Sequence, residues 1–200
     1  MLRTFREHDV RVCESLAGRW DFITATDKRT RKRLPTSYNR TIQVPSAWES
    51  LPGLEAYRGT AWLRRSVELC EGLALRLVFG GVSHTGTVFL DGRKIGQHYD
   101  AFTPWDVVAP AKRTGEAELV VEVDNSFGDH SALHIENDYY TYGGITRPVV
   151  AEYVPPVYID RVHAKPVMRG KAWDLEIAVR LRNWSTQDGR RQIEIAIENE

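Results

Sequence analysis

Thr60-Ala61-Trp62-Leu63-Arg64-Arg65-Ser66-Val67-Glu68-Leu69 reads as a β-strand. Ala61, Leu63, Val67 and Leu69 point one way, while Trp62, Arg64, Ser66 and Glu68 point the other, which is the period-two signature of a half-buried strand. Glu118–Asp124 repeats it, with Leu119, Val121 and Val123 inward and Glu118 and Glu122 outward, where carboxylates keep a strand soluble. Trp173–Arg182 alternates most cleanly, setting Trp173, Leu175, Ile177, Val179 and Leu181 against Asp174, Glu176, Arg180 and Arg182. The same reading predicts strands over Arg19–Thr24, Asn39–Val44, Leu75–Phe79, Thr87–Leu90, Ile145–Val154, Val157–Ala164 and Gln192–Glu198. No segment carries the 3.6-residue pattern of an amphipathic helix.

Turn residues separate the strands. Asp91-Gly92, between Val88-Phe89-Leu90 and Lys94-Ile95, predicts a tight hairpin, because both central positions of such a turn favour φ > 0. Many short strands with frequent turns imply an all-β sandwich or jelly roll. Val154-Pro155-Pro156 marks a boundary, since adjacent prolines cannot donate to a ladder and stiffen a connection. About three strands follow it, whereas an immunoglobulin-like sandwich needs about seven. The expected organisation is therefore a complete domain over 1–154 and an incomplete second sandwich over 155–200, cut from a longer polypeptide.

Composition narrows the function. The chain has 200 residues, 42% of them hydrophobic, which supports a core. Its 27 basic and 27 acidic side chains cancel, so nothing favours a nucleic-acid partner. Two cysteines, Cys13 and Cys70, form no disulfide framework and fit a reducing compartment. Met1-Leu2-Arg3-Thr4-Phe5-Arg6-Glu7 lacks the apolar run of a secretory signal, and no run of about 18 apolar residues occurs, so a cytoplasmic protein without a membrane partner is expected. Six tryptophans and eight tyrosines serve cores, and they also stack on sugar faces.

The common catalytic signatures are absent. Gly81-Val82-Ser83-His84-Thr85 approaches a nucleophile elbow but lacks the final glycine, and a strand follows where a helix is needed. His130 and His134 would share a face only on a helix, and their Gly- and Ser-containing surroundings read as a loop, so no metal site is expected. The run Lys28-Arg29-Thr30-Arg31-Lys32-Arg33 reads as a solvated loop. Asp138 stands out because it heads the aromatic and glycine-rich stretch Tyr139-Tyr140-Thr141-Tyr142-Gly143-Gly144. A carboxylate accepts paired hydrogen bonds from neighbouring sugar hydroxyls while rings cover the apolar sugar face. The plain alternative is a turn-capping Asp with core tyrosines.

Six segments in order carry a family resemblance: Leu16-Ala17-Gly18-Arg19-Trp20-Asp21-Phe22, Val44-Pro45-Ser46-Ala47-Trp48, Tyr57-Arg58-Gly59-Thr60-Ala61-Trp62-Leu63-Arg64-Arg65, Leu77-Val78-Phe79-Gly80-Gly81-Val82, Val88-Phe89-Leu90-Asp91-Gly92 with Ile95-Gly96-Gln97-His98, and Asp138-Tyr139-Tyr140-Thr141-Tyr142-Gly143-Gly144-Ile145-Thr146-Arg147. Together they resemble the N-terminal region of family 2 glycoside hydrolases, the β-galactosidases, β-glucuronidases and β-mannosidases; the last segment is most similar to β-glucuronidases. The loop His98-Tyr99-Asp100-Ala101-Phe102-Thr103-Pro104-Trp105 departs from the family by lacking its glycine pair.

The resemblance implies a galactose-binding-like jelly roll, then the first strands of an immunoglobulin-like sandwich. The catalytic TIM barrel with both glutamates is absent. The chain would contribute a sugar-binding module without completing a catalytic site, need no cofactor, and partner with a terminal β-linked sugar, the remaining enzyme domains and, in an oligomer, copies of itself. The resemblance assigns sugar contact to Asp138, with Tyr139, Tyr57 and Arg58 nearby, and support of the loop to Arg147 and Tyr142. A free-standing lectin-like module and a purely structural oligomerisation domain are the alternatives.

Overall fold

The computed structural model describes residues 11–25, 33–127 and 141–196. The chain divides into two compact units, Met1–Pro155 and Pro156–Glu200.

The first unit holds β1 (Cys13–Ser15), β2 (Gly18–Thr24), β3 (Arg40–Val44), a 3-10 turn (Trp48–Ser50), β4 (Thr60–Leu69), β5 (Ala74–Phe79), β6 (Val82–Ser83), β7 (Thr85–Leu90), β8 (Arg93–Tyr99), β9 (Trp105–Pro110), β10 (Gly115–Asp124), β11 (Gly144–Ile145) and β12 (Val149–Val154). All described pairings are antiparallel. Six strands form one sheet in the order β3-β2-β4-β10-β7-β8, four form another in the order β1-β12-β5-β9, and β11 pairs with β6. The inner residues follow the predicted alternation. Phe22, Leu63, Val88, Leu119, Val121 and Val123 from the six-stranded sheet pack into one cluster with Leu75, Leu77, Phe79, Val149, Ala151 and Tyr153 from the four-stranded sheet. Two sheets face to face over interdigitated side chains make a β-sandwich, and each fully buried large apolar side chain contributes about 1.5–3 kcal/mol.

Local turn chemistry sets the register. Asp91 (φ 46°) and Gly92 (φ 76°) supply the two left-handed residues that close the β7–β8 hairpin. Asp91 Oδ1 accepts the Glu118 N–H at 2.8 Å, which fastens that hairpin to β10.

Several expectations need correction. Trp62 faces away from the core cluster, as read, yet is only 1% exposed. Residues 33–38 lie along the outer face of the six-stranded sheet, with the Arg64 guanidinium 4.3 Å from the centre of the Tyr38 ring, so that face is not simply solvated. Glu122 is half-buried and accepts the Trp62 indole N–H at 2.9 Å; Glu118 does remain exposed. The strand predicted over Ile145–Val154 is broken between β11 and β12, where Pro148 cannot donate to a ladder. Residues 192–196 form no strand, although they alternate. Strands β1, β6 and β9 fall outside the predicted segments.

The second unit contains β13 (Val157–Arg169) paired with β14 (Ala172–Asn183). Here alternation predicted the strand but not its burial: Trp173 is 67% exposed, and Ile159, Val162, Met168, Leu175 and Leu181 are exposed with it. Two strands alone have no second layer to bury an apolar face. Among the described residues there is no α-helix, no helix long and apolar enough to cross a membrane, and no cluster of three or more metal-ligating side chains.

Candidate functional site

At one end of the six-stranded sheet, the 3-10 turn, the start of β4, the end of β10 and the approach to β11 converge. Trp48 sits at the centre, fully buried, with the Phe22 ring at 6.3 Å and the Tyr57 ring edge-on at 5.7 Å between centroids. Its backbone N–H donates to the Gly143 carbonyl at 2.9 Å, and its indole N–H reaches the Tyr57 carbonyl at 3.4 Å. Gly143 lies flat against this indole: a Cβ there would stand 2.0 Å from Trp48 Cζ2 and 2.6 Å from Asn125 Nδ2. Only glycine permits so close an approach.

Next to Trp48, the Glu49 carboxylate accepts the Gly143 N–H on both oxygens at 3.1 Å and the Arg58 guanidinium at 2.9 Å. The Glu49 side chain is 7% exposed and that of Arg58 21%. Burial raises the Glu49 carboxyl above its ordinary value, against the opposing pull of its own and the Gly143 N–H groups and of Arg58. A shielded pair of this kind costs far more to break than a surface pair, because the survivor keeps a buried charge.

Asn125, fully buried, completes the clasp. Its Oδ1 accepts the Gly59 N–H at 3.0 Å, its backbone N–H donates to the Gly59 carbonyl at 3.1 Å, and its Nδ2 reaches the Thr141 carbonyl at 3.5 Å. One side chain thus touches the sheet, the point where the chain leaves β10 and the point where it returns towards β11. Thr60 Oγ1 adds a 2.8 Å bond to Asp124 at the same exit. Nearby, His84 is buried edge-on against Tyr99, and burial lowers its imidazole below the ordinary value.

Among the expected site residues, Asp138 and Tyr139 lie outside the described residues, as do His130 and His134. Tyr57 and Arg58 are turned into the clasp: the Tyr57 hydroxyl donates to the Thr60 carbonyl at 2.7 Å, and Arg58 also donates to the Tyr57 carbonyl at 2.9 Å. Tyr142 is 53% exposed. Arg147 donates to the Phe102 carbonyl at 2.7 Å, joining the loop after β8 to the chain between β11 and β12. Sequence reasoning missed Glu49 and Asn125; the adjacent Gly143-Gly144 was the available signal that something packs hard against that backbone.

Residues 13–155 match the model of the glycosyl hydrolases family 2 sugar binding domain. A crystal structure of a β-galacturonidase of the same family from Eisenbergiella tayi, bound to galacturonate, is 40% identical with a TM-score of 0.78, covering 93% of this chain and 32% of that one. The β-glucuronidase from Ruminococcus gnavus in complex with D-glucuronic acid shares the fold at 22% identity and a TM-score of 0.75, over 88% and 35% of the two chains. Among curated relatives, a putative β-glucuronidase from Formosa agariphila is 22% identical over 160 residues, 76% of this chain. The chain spans 19% of that relative's length.

Proposed function

The chain belongs to the glycosyl hydrolase family 2 sugar-binding domains, and from that premise we propose that it serves an enzyme that releases terminal β-linked uronic sugars, galacturonate or glucuronate. In this reading it grips the sugar without itself supplying the catalytic carboxylates. The observation that carries the reading is the clasp of Trp48, Glu49, Arg58, Asn125 and Gly143. It fixes the base of the segment that bears Asp138 by buried, charge-assisted and backbone hydrogen bonds. A recognition group is useful only when its supports are rigid, because a small misplacement forfeits the contact.

Asp138 accepts sugar hydroxyls, Tyr139 and the exposed ring of Tyr142 flank the sugar face, and Tyr57 and Arg58 shape the support. Arg147 holds the neighbouring loop in place. The β13–β14 hairpin is the opening of an immunoglobulin-like domain, a reading supported by the apolar side chains it leaves exposed. The choice of a uronic sugar rests on the 40% identity to a galacturonidase.

The test is hydrolysis of nitrophenyl β-galacturonide, β-glucuronide and β-galactoside by this chain and by the full polypeptide that carries it. The chain alone is expected to turn over none, and the full polypeptide is expected to prefer the uronides. Asp138→Ala in the full polypeptide is expected to lower kcat/KM by about tenfold or more, as for one charged hydrogen bond. Turnover by the isolated chain, or an Asp138→Ala variant with unchanged kcat/KM, would defeat the proposal, and the second result would favour a purely structural role.

A further inference from the structure

On the outer face of the six-stranded sheet, away from the Gly143 clasp, the strands β7, β8 and β10 floor a cavity of about 490 Å³ lined by Arg33, Thr87, Phe89, Lys94, Gln97 and Glu122, among others. Its size falls within the range of about 300–1,000 Å³ typical of small-molecule clefts. The chemistry of its walls is mixed. Phe89 offers a ring, Thr87 a hydroxyl and Gln97 an amide. Glu122 is rigidly seated, since one of its oxygens takes the indole N–H of fully buried Trp62 at 2.9 Å. Among the described residues that is its only hydrogen bond, so the carboxylate keeps unused acceptor capacity. Lys94 donates to Gln97 Oε1 at 2.6 Å, which orients both side chains and leaves the ammonium two further protons.

We infer that this cleft binds an acidic saccharide, with Glu122 accepting hydroxyl protons, Phe89 against the sugar face, and Lys94 with Arg33 taking the sugar carboxylate. Two cations against one carboxylate favour a ligand carrying a single negative charge. A fully ionised anion such as sulfate would meet Glu122 with no proton to offer it. A neutral saccharide would leave the two cations unpaired. A purely hydrophobic ligand would strand every polar group in the cleft. Burial raises the Glu122 carboxyl above its ordinary value, as expected of a group held inside a recess instead of on an open strand. The inference extends the sugar-binding reading to a second face and does not use the clasp.

The test is an amide-resolved NMR titration of the 200-residue chain with methyl galacturonide, which carries one carboxylate, and, in parallel, with neutral methyl galactoside. The expected result is a saturable shift at millimolar ligand confined to the amides of Thr87, Phe89, Gln97 and their neighbours, with the acidic sugar bound more tightly than the neutral one. Lys94→Ala and Gln97→Ala change exposed strand residues, and an otherwise unchanged spectrum will certify their folds. Lys94→Ala is expected to weaken binding about tenfold and Gln97→Ala severalfold. Absence of saturable shifts, equal affinity for both sugars, or variants that bind as well as the wild type would each overturn the inference. The shifts must also persist in Asp138→Ala. Their loss there would assign the signal to the other loop, whereas unchanged turnover by Asp138→Ala would count against the uronidase reading alone.

Discussion

Gly143→Ala should cripple the first unit, and the size of the effect can be worked out from the contacts. The new methyl would stand 2.0 Å from Trp48 Cζ2 and 2.2 Å from Cε2, where ordinary contact begins at 3.4 Å. The indole cannot yield by rotating, since Phe22 and Tyr57 pack against it and the residue is fully buried. The backbone of Gly143 must retreat instead, and doing so breaks its N–H bonds to Glu49 and its carbonyl bond to Trp48. Overpacking alone costs about 1–3 kcal/mol. Each lost hydrogen bond adds about 1 kcal/mol, more for the one to a carboxylate. A total of about 3 kcal/mol is a large share of a domain stability of roughly 5–15 kcal/mol. With a urea dependence of about 2 kcal/mol per molar, the unfolding midpoint followed by tryptophan fluorescence should fall by about 1.5 M. Trp48→Phe removes the atoms in conflict. The double variant should therefore be more stable than the two single losses summed, by about 1 kcal/mol or more. A Gly143→Ala midpoint within about 0.3 M of the wild type, or strict additivity with Trp48→Phe, would refute the clasp.

Arg58→Ala leaves Glu49 shielded without its cation and should cost about 2–3 kcal/mol in the same urea assay; replacing the pair together, Glu49→Gln with Arg58→Met, should recover a large part of that loss. Glu122→Gln keeps an acceptor for the Trp62 N–H while removing the charge. Because burial raises the folded-state value of Glu122, its stabilising contribution is present at acid pH and lost as pH rises through that value. The variant should therefore gain on the wild type at neutral pH, and the gap should close as pH falls below the carboxylate range, measured as thermal midpoints across pH. Gly92→Ala, at φ 76° with nothing within 4 Å of a new Cβ, should cost only about 1 kcal/mol by thermal denaturation, the conformational term without a clash. In an ultraviolet titration Tyr38 should ionise well above the ordinary tyrosine range, since burial, aided by Glu118, pushes it up to about 12 against the pull of Arg64.

Much of the sandwich was legible because its signals are local. The alternation in β4 and β10 needs only neighbours two residues apart, and the Asp91-Gly92 turn needs only two adjacent left-handed positions. What was illegible depends on segments remote in sequence. Trp62 and Glu122 do face away from the core, but nothing in the neighbouring sequence announces that this face is shielded. The Gln192–Glu198 alternation looked like a strand, yet alternation without a pairing partner does not make a ladder among residues 192–196. The clasp joins Glu49 to Gly143 across 94 positions, so no window of sequence contains both. Asp138 was singled out by its aromatic setting and lies outside the described residues, whereas Glu49 and Asn125, which hold that region's base, have no compositional mark at all.

The two side-chain bonds of Asn125, one to Gly59 and one to Thr141, have a consequence for how such a protein diversifies. With exit and return fastened by a single interior amide, the intervening stretch can be rewritten or resized while both β-layers keep their registry. Doubling such a stretch adds only about 0.6 kcal/mol of closure entropy. Under the proposed sugar-binding role, new sugar preferences can then be sampled in that one short stretch, and the scaffold beneath it need not be rediscovered each time.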